Sequence, residues 1–265
     1  MTVSPSSIRL NRGQSATFTV TIANVSAPID EWRFGSLTWK EQGGGYAVRS
    51  PIAVNGSQFS APTEVTGTGV DGSTSFDVQF GYTGAYEAVA HGLTPATLTE
   101  DTVGQDEDQT FDPGDVATGG ANAHTFDLSD VAVFRIAIPP EATGPNSDLD
   151  VYVYDPNGDQ VASSTQGGTD EEVTIEDPAD GTWTVYVHGW QTEGNVSSDY
   201  TLYSWAVPNA TGGSLTATGP SSVTTGQVAT INLTWTGADG WNLGAVDHTD
   251  GSTVLGRTLV EVDNR

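Results

Sequence analysis

The sequence predicts an all-β protein made of antiparallel β-sandwiches. Three observations carry that expectation. No segment keeps an apolar period of 3.6 residues. Alternation with period two recurs instead, as TFTVTI over 17–22, LDVYVY over 149–154 and TWTVYV over 182–187. Gly, Pro, Asn and Asp punctuate these short runs, as turns between strands require. Short alternating strands give sheets with one wet face and one face in a core.

The elements then follow in order. Pro5-Ser6-Ser7-Ile8 precedes Gly13-Gln14-Ser15-Ala16-Thr17-Phe18, and a Gly-led strand, Gly35-Ser36-Leu37-Thr38-Trp39, returns through 48–54. The same order recurs near the C-terminus. Pro220-Ser221-Ser222-Val223 precedes Gly226-Gln227-Val228-Ala229-Thr230-Ile231, then Gly244-Ala245-Val246-Asp247-His248, with a return through 254–262. Residues 1–57 and 209–265 are thus two copies of a unit of about four strands. Between them, 64–70, 73–82 and 85–92 read as three strands, with turns at Asp71-Gly72 and Thr83-Gly84. Three and four make a seven-stranded sandwich. The expectation is that 58–100 and 209–265 form one sandwich, with a further sandwich, 113–208, inserted. Residues 101–115 read as an acidic linker with too few apolar groups for a core. The expected division is 1–57, a half unit; 58–112, the first strands of the composite sandwich plus linker; 113–208, the insert; and 209–265, the remaining strands.

The first copy has no complementary strands. Its alternating Phe18, Val20, Ile22, Leu37 and Trp39 would give one sheet with an open apolar face and two unpaired edges. It is expected to pack on the composite sandwich, to self-associate by strand exchange, or to stay loose and aggregate.

The formal net charge of this 265-residue chain is −26, with Lys40 the one lysine beside seven arginines. Such a field excludes nucleic acid and anionic membrane surfaces as partners. It suits life outside the cell, high salt, or hard cations such as calcium. There is no cysteine, which excludes disulfides, thiolate metal sites and Cys nucleophiles. No run approaches the roughly 18 apolar residues of a membrane span. No leader peptide opens the chain, so the signal of a secreted parent is expected upstream. Asn-X-Ser/Thr sequons stand at Asn24, Asn55, Asn195, Asn209 and Asn232, and matter only in a source that glycosylates.

Two stretches resemble known families. VSPSSI at 3–8, GQSATFTVT at 13–21, FGSLTW at 34–39 and VRSPIAV at 48–54 resemble the latter half of the fibronectin-III-like domain of subtilases. DLDVYVYDPNGD at 148–159, GTWTVYVHGW at 181–190 and DYTLY at 199–203 resemble the bacterial pre-peptidase C-terminal (PPC) domain. The resemblance implies a PPC-type jelly roll inserted in a fibronectin-III-like sandwich, preceded by a half fibronectin-III-like unit. It implies a non-catalytic accessory region of a secreted bacterial subtilisin-like protease, serving stability, secretion or substrate attachment. The implied partners are the parent catalytic domain or a protein substrate. The alternative is a structural subunit of an extracellular assembly, joined by strand exchange.

No catalytic residue is assigned. The chain has His91, His124, His188 and His248 but no Gly-Thr-Ser turn to carry a nucleophile. Asp247-His248 is the one adjacent acid–imidazole pair. Two sets are candidate calcium ligands. Asp155, Asn157 and Asp159 alternate oxygens like the start of a calcium loop, without the Glu that closes an EF-hand, and Asn157-Gly158 is also a strong hairpin signal. Asp106, Glu107 and Asp108 resemble the acidic lead-in that binds calcium in PPC-like domains of bacterial collagenases. A candidate binding surface comes from alternation: with Leu149, Val151 and Val153 inward, Tyr152 and Tyr154 face out. With Trp183, Val185 and Val187 inward, Tyr186, His188 and Trp190 face out. Exposed aromatics on a rigid sheet are residue types that anchor interfaces. Trp32, Trp39, Trp235 and Trp241 are expected in packing.

Overall fold

The computed structural model describes residues 1–22, 29 and 31–265. The sequon at Asn24 lies outside the described residues. Among them there are strands and three short 3-10 turns, and no α-helix.

Residues far apart in sequence build the C-terminal sandwich. One sheet runs Leu215–Thr218, Val228–Trp235, Gly72–Phe80, Phe59–Ser60; the other runs Glu64–Gly67, Val254–Asp263, Trp241–Thr249, Glu87–Pro95. Ile231 stands opposite Phe76 and Leu233 opposite Thr74. Period two works as the pattern requires: Phe76, Val78 and Phe80 are buried while Asp77 and Gln79 are exposed. The core joins Phe76, Val78, Phe80 and Tyr86 to Leu215, Ile231, Leu233, Trp235, Val246, Val260 and Val262. Strands from both sides of the insert therefore close over one apolar interior.

The inserted sandwich has sheets Thr97–Gly104, Ser197–Pro208, Val131–Ile138, Glu171–Glu176 and Ala121–Leu128, Gly181–Gln191, Asp148–Tyr154, Gln160–Ser164. Phe134, Ile136, Leu149, Val151, Val153, Trp183, Val185, Val187 and Leu202 fill it. Thr97–Gly104 corrects the linker reading. Residues 101–104 are the end of an edge strand paired to Ser197–Pro208, and Val103 is fully buried.

The two sandwiches share a third apolar cluster of Ala132, Val133, Ala137, Trp205, Val207, Leu243, Ala245 and Leu259. Val131–Ile138 reads VAVFRIAI and is buried on both faces because each face meets a core. In its middle the Arg135 side chain, 3% exposed, reaches across to Glu64 and Glu261 of the C-terminal sandwich and to Glu172 and Thr174 of its own. Arg257 answers from the other side, donating to Asp247, to the Ala132 carbonyl and to Asp177.

The N-terminal unit departs from expectation. Among its described residues there are two two-stranded sheets, Thr2–Ser4 with Thr19–Thr21 and Trp32–Lys40 with Ala47–Asn55, rather than the one expected. Phe18 meets Trp39 edge-on at 5.1 Å between centroids. None of its described residues enters any of the three clusters, and Trp32, Phe34, Tyr46 and Val48 are exposed. Trp32, 57% exposed, is thus not the core residue expected of it.

Candidate functional site

The outward face of the sheet holding Gly181–Gln191 and Asp148–Tyr154 brings the predicted surface residues together. Tyr152 stands opposite Tyr186, and Asp150 opposite His188. The face is partly covered: Phe111 lies over it, and Tyr152, Tyr154 and Trp190 line an open groove beside that ring. Residues 105–116 fold back across the face. The Phe111 ring stacks on Tyr152 at 4.0 Å and 11°, and packs against Tyr186 at 5.4 Å and His188 at 5.6 Å. Tyr152, Tyr154 and Tyr186 are left half-buried, His188 is fully buried, and Trp190 stays exposed. The alternation argument placed these side chains correctly relative to the core but could not see their cover. The signal it lacked was Phe111, an aromatic anchor in an otherwise acidic run. Gly189 permits the close approach: a Cβ there would stand 2.1 Å from the Gly104 carbonyl oxygen.

His188 fastens the cover. Its Nε2 lies 3.1 Å from Asp106 of the covering segment and its Nδ1 3.3 Å from Asp150 of the sheet. Burial lowers the imidazole's affinity for protons, but the bonds to Asp150 and Asp106 outweigh it and hold the pKa above the ordinary value. Burial pushes Asp106 the other way, and the bonds from His188 and the Thr110 N–H bring it below the usual carboxylate range. The predicted acidic set is therefore split. Asp106 is buried and engaged, Asp108 accepts from the Thr110 N–H, and Glu107 is exposed. Asp106, Asp115 and His188 place one ligand atom each within 4.8 Å of one another.

A pH dependence follows from these directions. A raised imidazole stabilises the fold fully below the unfolded value near ~6.5, and that stabilisation is lost as pH rises through the folded value. A lowered carboxyl stabilises above about 4 and loses this as pH falls. In buffer free of divalent cations, the melting-temperature gap between wild type and His188→Gln should be widest at about pH 5–6.5 and narrow at higher pH. A gap that does not vary with pH rejects the buried imidazolium.

Asp155, Asn157 and Asp159 form the hairpin turn. Asp155 Oδ1 accepts from the Asn157 and Asp159 N–H groups and Oδ2 from the Asn157 amide, each at 2.9 Å. Those bonds hold Asp155 below the usual carboxylate range.

Asp247 and His248 are not a dyad. Neighbours on a strand point to opposite faces. Asp247 faces the inter-sandwich layer, bonded to His91 and Arg257. His248 faces the C-terminal core, between the Tyr86 hydroxyl at 2.6 Å and Thr258 at 2.9 Å. The Thr258 hydroxyl donates to the Pro62 carbonyl. Burial, against a weaker pull from Asp247, lowers the His248 pKa to about 4, so the ring stays neutral.

Residues 1–54 match the family model described as a fibronectin type-III domain, and residues 120–189 that of the bacterial pre-peptidase C-terminal domain. Pyrolysin of Pyrococcus furiosus is 30% identical over 135 residues, 46% of this chain and 8% of pyrolysin. Both family matches and the pyrolysin alignment support the resemblance read from the sequence. Both matched models are of accessory, non-catalytic types. The PPC-type match spans the buried His188 and both of its sheet neighbours. The chain spans less than a tenth of pyrolysin. Two solved structures also align. One is the pre-peptidase C-terminal domain of a collagenase from Bacillus anthracis, at 12% identity, covering 42% of this chain and 87% of that one, with a TM-score of 0.27. The other is PliG of Aeromonas hydrophila, a periplasmic inhibitor of g-type lysozyme, at 10% identity, covering 42% and 88%, with the same TM-score. Scores this low extend no property to this chain.

Proposed function

We propose that this chain is a non-catalytic accessory region of an extracellular subtilisin-like protease, contributing stability in the first place and secretion or substrate attachment in the second. The supporting observation is the co-occurrence of a fibronectin type-III match and a PPC match in one chain that also aligns with pyrolysin. The geometry favours a stabilising appendage over attachment through Tyr152, Tyr154 and Tyr186. Phe111 packs over Tyr152 and Tyr186, while the buried Arg135 and Arg257 bond across the junction of the two sandwiches. The test is fusion to the C-terminus of a secreted subtilase. The fusion should inactivate more slowly on heating than the catalytic domain alone, with unchanged turnover per active site. Casein hydrolysis by the homogeneous unfused chain would sink the reading, as would a fusion that gains neither lifetime nor secreted yield.

A second reading is self-association by strand exchange through the N-terminal unit. It is favoured by two open two-stranded sheets and the exposed Trp32, Phe34, Tyr46 and Val48. Deleting residues 1–57 should convert larger species into a monomer in sedimentation velocity. A full-length chain that sediments as a monomer at all concentrations removes this reading.

A further inference from the structure

Exposed apolar side chains crowd the N-terminal unit, with Phe18, Ile22, Trp32, Phe34, Tyr46 and Val48 among them. Strand pairing elsewhere in the chain explains why. Set aside the strands that 59–95 contribute to the C-terminal sandwich. What remains is Leu215–Thr218 beside Val228–Trp235, and Trp241–Thr249 beside Val254–Asp263, both antiparallel. That is the arrangement of the N-terminal unit: Thr2–Ser4 beside Thr19–Thr21, and Trp32–Lys40 beside Ala47–Asn55, both antiparallel. The longer hairpin corresponds residue by residue. Gly35 stands opposite Ile52 as Gly244 stands opposite Val260, and Leu37 opposite Ser50 as Val246 opposite Thr258. The sequences agree, VRSPIAV at 48–54 aligning with GRTLVEV at 256–262.

Burial shows what the N-terminal unit lacks. Val246, Val260 and Val262 are fully buried, whereas Leu37, Ile52 and Val54 at the same places are half-buried. In the C-terminal sandwich the segment 59–95 completes the cover. Glu64–Gly67 runs parallel to Val254–Asp263, Glu87–Pro95 antiparallel to Trp241–Thr249, and Gly72–Phe80 antiparallel to Val228–Trp235. A polar group makes the same point independently. His248 meets the Tyr86 hydroxyl at 2.6 Å and the Phe59 ring at 4.7 Å, both from 59–95. Trp39 holds the place of His248, opposite Val48 as His248 is opposite Gly256, and its Nε1–H is buried with no acceptor. Buried donors are nearly always paired, so an acceptor is missing where Tyr86 serves the other unit.

We propose that residues 1–57 are an acceptor for a three-stranded polypeptide segment with the pattern of 59–95. One of its strands runs parallel to Ala47–Asn55, one antiparallel to Trp32–Lys40 and one antiparallel to Thr19–Thr21. The occupant is not a second copy of this chain. Each copy carries two acceptors and one donor segment, so exchange between copies fills an N-terminal unit only by emptying a C-terminal one. The donor covers one face alone. Trp32 and Phe34 take the places of Trp241 and Leu243, which face the inserted sandwich and not the C-terminal core, so both stay open. The inference rests on strand pairing within this chain and not on the protease reading.

The experiment adds a second donor to the full chain. A duplicate of 58–96 is fused ahead of residue 1. In the C-terminal sandwich the end of the donor lies beside the start of the acceptor. The Gly212 N–H donates to the Ala90 carbonyl at 2.9 Å, and the Leu93 N–H to Ser214 Oγ at 3.3 Å. A Gly/Ser linker of about 10 residues, spanning roughly 17 Å, therefore suffices. The chain has no cysteine, so single introduced thiols report exposure cleanly. Ile52→Cys, on the face to be covered, should react with maleimide readily in the unfused chain. In the fusion it should react roughly 100-fold more slowly, because labelling then waits for local opening. Phe34→Cys should react equally fast in both. Val54→Cys reports on the covered face if Ile52→Cys disturbs folding. A fusion whose added copy carries Val78→Asp should label like the unfused chain. Labelling of Ile52→Cys that the intact fusion does not slow overturns the proposal. So does equal slowing at positions 52 and 34, which is aggregation. An unfused chain that already shields Ile52→Cys overturns it too, in favour of intrachain packing if it sediments as a monomer and of a second copy if it sediments as a larger species.

Discussion

Replacing Arg135 by Met should cost about 3–5 kcal/mol, the range measured when one member of a buried ion cluster is removed. Arg135 is a long cation in the middle of VAVFRIAI, and its guanidinium meets Glu64, Glu261 and Glu172 at the junction of the sandwiches. Methionine fills similar space but leaves three carboxyls facing one another with no cation. Burial already raises Glu261, with Glu64 adding to it and Arg135 opposing; burial also raises Glu172 against the same arginine. Without the arginine both rise further. The sign follows from that. The variant's carboxyls sit above their unfolded values, so its deficit grows as pH climbs past about 4.3 and shrinks in acid. For a chain of this size the loss corresponds to a melting temperature lower by roughly 10 °C. Calorimetry should also split one transition into two as the sandwiches lose their shared clamp. Adding Glu64→Gln and Glu261→Gln to the variant should return part of the loss. A variant that melts within about 1 kcal/mol of wild type, a surface-pair value, shows that Arg135 carries no such load.

That arginine also marks where sequence reading stopped. The alternating strands were legible because period two and turn residues are local signals. Phe76, Ile231, Leu149 and Trp183 face their cores as the alternation implies. What depends on contacts between distant segments was not legible. VAVFRIAI gives no sign that its second face meets another sandwich, or that Glu64 and Glu261 wait for its arginine. The acidic run looked like a linker because its anchors are few, Val103 and Phe111, and each works only against a surface formed elsewhere. Tyr152, Tyr186 and His188 were found as one cluster for a sound reason, yet their partner lay some 40 residues upstream of Tyr152, within a stretch dismissed as solvated.

Trp235→Ala should cost about 3–5 kcal/mol, the usual penalty for emptying a large aromatic from a core. The ring is 2% exposed, and its Nε1–H donates to the Gly69 carbonyl at 2.8 Å. Losing it leaves both a cavity and a half-buried carbonyl without its donor. The ring lies on two glycines from a segment more than 160 residues earlier. A Cβ at Gly67 would come within 2.4 Å of Trp235 Cη2, and one at Gly72 within 2.5 Å of Cζ2. These approaches are too close for any other residue, so Gly72→Ala should itself cost about 1–3 kcal/mol through overpacking. The informative measurement is the pair. Trp235→Phe with Gly72→Ala should lose less than the sum of the single variants, because the smaller ring makes way for the new methyl, and residues in contact couple by about 0.5–3 kcal/mol. Such coupling requires the strands before and after the insert to share one core in solution. Strict additivity would place Trp235 and Gly72 in separately folding pieces, and the sandwich assembled across the PPC-type insert would fall with it.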